Sequence, residues 1–193
     1  MTERLSCSPI VEAARDFFIN TIESGTPIYP RYPEHAKEVE RLSLEIIPFY
    51  PQANIEIVQL LAWGHDIGWF DGDLEIDHAI KSSVMMIKFL RGQGYPENKI
   101  QAVAHGIRAH RCKDVQPTTI EAQILVAADS LSHMTDLLVY PLMLSQKHLG
   151  IEDILAKLER DYRDTLLFLP EDLKPKTRSY YEAWKTLLNL NSL

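Results

Sequence analysis

Cysteine is nearly absent from this chain: Cys7 and Cys112 are the only two in 193 residues, with no CxxC spacing. That excludes a disulfide framework and a thiolate zinc site, and suits a reducing cytoplasm, where we expect the protein to reside. No apolar run follows Met1, so a secretory signal is not expected, and none approaches the roughly 20 residues of a membrane span. Positive charge is also short. Lys and Arg number 20 against 27 Asp and Glu, a formal charge of -7, so the basic footprint that polynucleotide binding requires is missing. A local basic pocket for a small phosphate ester is still allowed. Gly92-Gln93-Gly94 lacks the Lys-Ser/Thr and strand-helix setting of a phosphate loop, and no Ser/His/Asp or Cys/His arrangement stands out. Alternating strand patterns, internal repeats and low-complexity tracts are absent.

What is present is helical periodicity. The composition, 46% hydrophobic and 24% charged, is that of an ordinary globular protein, and the length supports one domain over 1–193. Ile10, Val11, Ala14, Phe17, Phe18 and Ile22 recur at steps of three and four after Ser8-Pro9. Further helices are predicted from about Pro33 to Phe49, Asn54 to Trp63, Asp77 to Arg91, Pro96 to His110, and Thr118 to well past Asp129. Two more are predicted over Ile151 to Leu167, with Leu155, Leu158, Tyr162 and Leu166 in register, and over about Lys176 to Leu190. The fold class is therefore all-α, a single-domain helical bundle.

Four residues sit oddly in these helices. His35 precedes Val39, Leu42 and Ile46 by four, seven and eleven positions, which puts it on a buried stripe. Such a histidine is either a core residue bonded to a carbonyl or a ligand. Asp129 lies inside Ile124-Leu-Val-Ala-Ala128 and Ser130-Leu131, apolar nearly all round. A buried carboxylate must be paired, protonated or bound to a cation, and its candidate partners are an arginine, His133 one turn on, or a metal. His65-Asp66 ends the third helix before Gly68, as a polar cap or as two adjacent ligands. Together, two histidines and two carboxylates from three segments favour a divalent metal such as Mn, Fe, Co, Ni or Zn.

The order His35, His65-Asp66, Asp129 resembles the HD-domain superfamily of metal-dependent phosphohydrolases, whose fold is a helical bundle. The resemblance is nearest to the small stand-alone bacterial members and spans about 10–144, with helices 151–190 packing on that core. It extends to Asp77-His78-Ala79, to Ile107-Arg108-Ala109-His110 and to Ala128-Asp129-Ser130-Leu131. It implies metal ligation by His35, His65, Asp66 and Asp129, with Mn2+ the first expectation and Fe, Co, Ni, Zn or Mg the alternatives. It also implies attack on phosphorus by a metal-activated water, with Asp66 and His65 as the catalytic pair and Asp66 orienting the water. The implied partner is a small phosphate-bearing substrate, a nucleotide first, with neither polynucleotide nor membrane; a homo-oligomer is left open.

Three departures stand out. The basic residue common four positions after the HD histidine is Trp69 here, the Gly-Tyr-Pro of cyclic-dinucleotide phosphodiesterases is absent, and Ala-Asp is followed by Ser130-Leu131-Ser132. His78 and His110 are candidates for a second metal or for substrate, whereas His105 points away from its helix's apolar face. Lys81, Arg108 and Arg111, with Arg31 and Lys113, are the candidate phosphate contacts. Trp69 and Phe70 are candidate pocket walls, and Tyr180, Tyr181 and Trp184 are expected in the core. The acidic run Asp71 to Asp77 has Ile76 and Ser82 where a calcium loop needs Gly and Glu, so it reads as a solvated rim. Two readings stand beside the hydrolase: a dinuclear-iron oxygenase of the same fold, and a degenerate HD domain serving as a sensor or interaction module.

Overall fold

The structure is a computed structural model that describes residues 8–25, 32–72, 75–146 and 149–189. The expected features at Cys7, Arg31, Asp73 and Leu190 lie outside the described residues. Nine α-helices and three short 3-10 turns account for the described elements, and no strand occurs among them. The helices are α1 (Pro9–Ser24), α2 (Tyr32–Ile46), α3 (Ile55–Gly64), α4 (His78–Gly92), α5 (Glu97–Ala109), α6 (Ile120–Thr135), α7 (Val139–Leu144), α8 (Ile151–Phe168) and α9 (Lys174–Asn189). None is long and apolar enough to cross a membrane.

Helix α3 is the centre. Every residue from Ile57 to Gly64 is buried, so it has no solvent face and must be surrounded. Helices α1, α2, α5 and α6 pack around it. Its start is fixed by Asn54, whose side chain accepts the Ile57 N–H at 3.3 Å. The Asp77 and Thr119 side chains accept from the backbone of Ala79 and Ala122, opening α4 and α6 in the same way. Across the α1–α2–α3 junction, Glu40 accepts from Arg15 at 2.6 Å and from Gln59 at 3.0 Å, which keeps a buried charge partnered.

Several boundaries differ from the periodic reading. Helix α2 stops at Ile46 and tightens into a 3-10 turn over Ile47–Phe49, because Pro48 has no N–H for an α bond. The chain past Asp129 is not one long helix. Helix α6 ends at Thr135, Asp136 accepts the Leu138 N–H at 2.9 Å, and the short α7 follows with Pro141 in its first turn. Helix α8 lies between α6 and α9 and therefore buries two stripes. Its most buried face carries Ile154, Leu158, Asp161 and Thr165. Of the expected register Leu155, Leu158, Tyr162 and Leu166, only Leu158 is on it, and the other three are half-buried. That second stripe faces α9, where Tyr162 stacks on Tyr181 at 4.0 Å. Tyr181 and Trp184 are buried as expected, and Tyr180 packs at the edge of the core.

After α3 the chain turns through Ile67–Asp71, which presses against α4. Gly68 makes this contact: its N–H donates to Ser82 Oγ at 2.8 Å, and a Cβ there would lie 2.3 Å from the His78 carbonyl oxygen. The obstruction is backbone, so it cannot swing aside. Gly68→Ala is expected to cost about 2 kcal/mol or more of stability through overpacking. Chemical denaturation would read this as a lower midpoint, and an unchanged midpoint would contradict the close approach.

Candidate metal centre

Three of the four singled-out residues, His35, His65 and Asp129, are buried, and Asp66 is half-buried. His35 is on the inner face of α2, His65 and Asp66 follow the last turn of α3, and Asp129 is in the middle of α6. Their donor atoms converge. His35 Nε2 lies 3.1 Å from His65 Nε2, 3.2 Å from Asp129 Oδ1 and 3.7 Å from Asp66 Oδ2. His65 Nε2 is 3.6 Å from Asp66 Oδ2 and 3.5 Å from Asp129 Oδ1. Ligands about 2.1 Å from one cation stand roughly 3.0–3.5 Å from each other, so this spread matches a coordination shell.

The other side of the same carboxylate faces a second group. Asp66 Oδ1 is 3.2 Å from His78 Nε2 and 3.6 Å from His110 Nε2, and those two nitrogens are 3.3 Å apart. Asp66 thus presents one oxygen to each set.

Hydrogen bonds behind the rings decide which nitrogens are free. His65 Nδ1 donates to the Ala62 carbonyl at 2.9 Å and His110 Nδ1 to that of Ile107 at 2.6 Å. Ser132 Oγ donates to the Asp129 carbonyl at 2.7 Å and is left to accept from His35 Nδ1 at 3.3 Å. In neutral rings held this way, Nε2 carries the lone pair. Two such lone pairs about 3 Å apart repel unless a proton or a cation lies between them. Asp129 Oδ1, buried and without a hydrogen bond, adds an acceptor aimed at the same point. This donor set fits a divalent metal.

Titration follows from burial and charge. Burial lowers His35 and takes His110 down to about 4, so both rings are neutral near pH 7. In His65 burial acts the same way, but the Asp66 and Asp129 carboxylates outweigh it and lift the ring to about 9. Burial would raise Asp66, yet the charged His65 ring and a hydrogen bond from His78 hold it well below the usual carboxylate range. Asp66 is therefore ionised near neutral pH and a weak proton acceptor. A metal entering at neutral pH displaces the His65 proton. Affinity is expected to rise about tenfold per pH unit up to about 9 and level off above it. Titrations with Mn2+ at several pH values, read together with proton release, check the sign; affinity independent of pH would contradict it.

The other expected residues separate into those at the cavity and those away from it. A cavity of about 730 Å³ opens over the two donor sets, and His35, Asp66, Trp69, His78, His110, Arg111 and Asp129 all line it. Trp69 stacks on the His78 ring at 4.2 Å, so the residue replacing the common basic group holds a candidate ligand in place. Arg111 reaches the rim but is salt-bridged to Asp77. Arg108 is outside the cavity lining and pairs with Asp114. Lys81 is also outside it, buried beneath Gly68. His105 is half-buried rather than solvated, and its Nε2 accepts the Thr118 N–H at 3.2 Å. Asp77 is more than a solvated acid, since it both caps α4 and pairs with Arg111.

The sequence reading missed what α8 supplies. His133 stands parallel to His35 at 5.4 Å, with Nε2 3.5 Å from Asp129 Oδ1. Behind it, Lys157 donates to His133 Nδ1 at 3.1 Å and to Asp161 at 2.8 Å, and Tyr140 donates to Asp161 at 2.9 Å. With Nδ1 accepting from Lys157, a neutral His133 carries its proton on Nε2, facing the centre. The available signal was Lys157 and Asp161 at i, i+4, with Asp161 on the stripe shared by Ile154 and Leu158.

Among known proteins, a family model for the HD domain matches residues 32–134. That is more than half of the chain, and the protein belongs to the HD-domain family. The match begins and ends inside the 10–144 span of the sequence resemblance. Two solved structures share the fold. One is an HD-superfamily hydrolase from Bacillus thuringiensis, 15% identical, with TM-score 0.65 and 97% of both chains covered. The other is a predicted HD superfamily hydrolase from an uncultured Thermotogales bacterium, 19% identical, with TM-score 0.59, covering 83% of this chain and 89% of that one. No curated protein matches the sequence.

Proposed function

We propose that this protein is a metal-dependent phosphohydrolase acting on a small organic phosphate, with a nucleotide as the first substrate class to test. The carrying observation is the Asp66 carboxylate, shared between two converging donor sets at the floor of an open cavity. His35, His65, Asp66 and Asp129 would hold one divalent ion, Mn2+ first, and Asp66, His78 and His110 a second. Such ions supply water activation near neutral pH and neutralise charge on phosphoryl oxygens. The protein's own residues do the rest. Asp66 orients the attacking water, His133 offers an Nε2–H toward the reacting oxygens, and Trp69 keeps His78 aligned. Arg111 stands at the rim, where it can meet the ester or anhydride oxygens of an incoming substrate.

The second donor set also favours a second reading, an iron-dependent oxygenase, because two His-rich positions bridged by one carboxylate suit a di-iron centre as well. Elemental analysis with a phosphatase and pyrophosphatase panel separates the two. Nucleotide hydrolysis on adding Mn2+ supports the hydrolase, whereas two irons with a paramagnetic signature and no phosphate release support the oxygenase. A protein that takes up no metal and hydrolyses nothing would leave the domain a sensor or interaction module.

Two substitutions test the assignment of ligands. Asp66→Ala is expected to abolish hydrolysis, a loss of about a thousandfold or more, while the circular dichroism of the bundle persists. Full activity would refute the mechanism. His110→Ala is expected to remove one bound ion of two and leave the first set loaded. An unchanged stoichiometry would show that the second set holds no metal.

A further inference from the structure

Lys81 and Arg108, two of the cations expected to meet phosphate, are outside the cavity lining, yet the cavity is not poor in positive charge. Its lining includes Arg111, Lys113, Lys157, Arg160 and Arg163, three of them from α8. Most are already matched: Arg111 by Asp77, Lys157 by Asp161 and Arg163 by Asp164. Asp66 and Asp129 belong to the donor sets. Lys113 and Arg160 are different, because among the described residues neither makes a salt bridge or hydrogen bond, and both are solvent-exposed at the cavity. Of the two, Arg160 is on α8, the helix that packs against α7.

The wall beside it has the opposite character. Val139, Leu142 and Met143 of α7, with Leu149 just before α8, line the same cavity. Val139 is buried and the other three are half-buried, so an apolar surface is left open to the space over the donor sets. At about 730 Å³ the space has the size of a site for a drug-sized organic molecule, far more than a phosphate group fills.

We propose that α7 and Arg160 form a subsite for the non-reacting part of the substrate, and that this part is an aromatic or hydrocarbon group carrying its own anionic substituent. The apolar wall takes the organic body, and the Arg160 guanidinium takes the distal anion through charge-assisted hydrogen bonds. This rests on the hydrolase reading for what happens at the donor sets, but binding at the subsite does not require catalysis. A polar polyol phosphate would leave the wall wet and Arg160 without a partner.

The probe is 2-naphthalenesulfonate, an aromatic body with one fixed anion, titrated calorimetrically into the full chain with and without Mn2+. Methanesulfonate, the same anion without the body, is the control. Wild type is expected to bind the naphthyl probe at least about tenfold tighter than methanesulfonate. Arg160→Glu and Leu142→Asp are each expected to weaken it about tenfold or more. Arg160 is exposed, so its variant tests the subsite even if Leu142→Asp fails to fold. Binding in Arg160→Glu within about twofold of wild type overturns the proposal. So does a higher kcat/KM for glycerol 3-phosphate than for 1-naphthyl phosphate. Probe binding lost in Arg160→Glu, in a protein that hydrolyses no phosphate with any metal, would refute the hydrolase reading and uphold the subsite.

Discussion

A carboxylate kept ionised inside an apolar bundle is the constraint around which this molecule is arranged. Asp66 follows the most buried helix of the fold, where burial alone would drive it to take up a proton. Two histidines prevent that, His65 at the end of α3 and His78 at the start of α4. The helices must therefore meet where they do, or the charge is left unpartnered at a cost of several kcal/mol. Gly68 has no side chain because the turn carrying Asp66 must touch the backbone of α4. Trp69 lies flat on His78 for the same reason, since that ring has to face Asp66.

Much of this was legible in the chain itself. His35 could be placed because it shares a stripe with Val39, Leu42 and Ile46, and Asp129 because a carboxylate in an apolar run demands a partner. Of the three partners weighed for Asp129, an arginine, His133 or a metal, the last two do not exclude each other. Its Oδ1 faces both the donor set and the His133 ring. The all-α architecture followed from periodicity alone, because no segment alternated.

What stayed hidden has a common physical cause. Periodicity assigns a residue to one face of a helix, but a helix packed on two sides has two inner faces. Helix α8 is such a case: the expected register of Leu155, Leu158, Tyr162 and Leu166 mixed its two faces and concealed that Asp161 shares one of them with Leu158. Helix α7 is too short to show a period, and the two candidate arginines that flank His110, Arg108 and Arg111, are committed to Asp114 and Asp77. Which cations remain available is a property of pairing in space, which spacing along a chain does not encode.

The position of α8 has a consequence for what counts as the working unit. All six candidate ligands lie within 32–134, the span shared with the family, and a fragment cut there would keep every residue of the motif. It would also strip the cover from the buried face of α6 and remove the lysine that sets the tautomer of His133. The recognisable motif is thus shorter than the unit that packs around it.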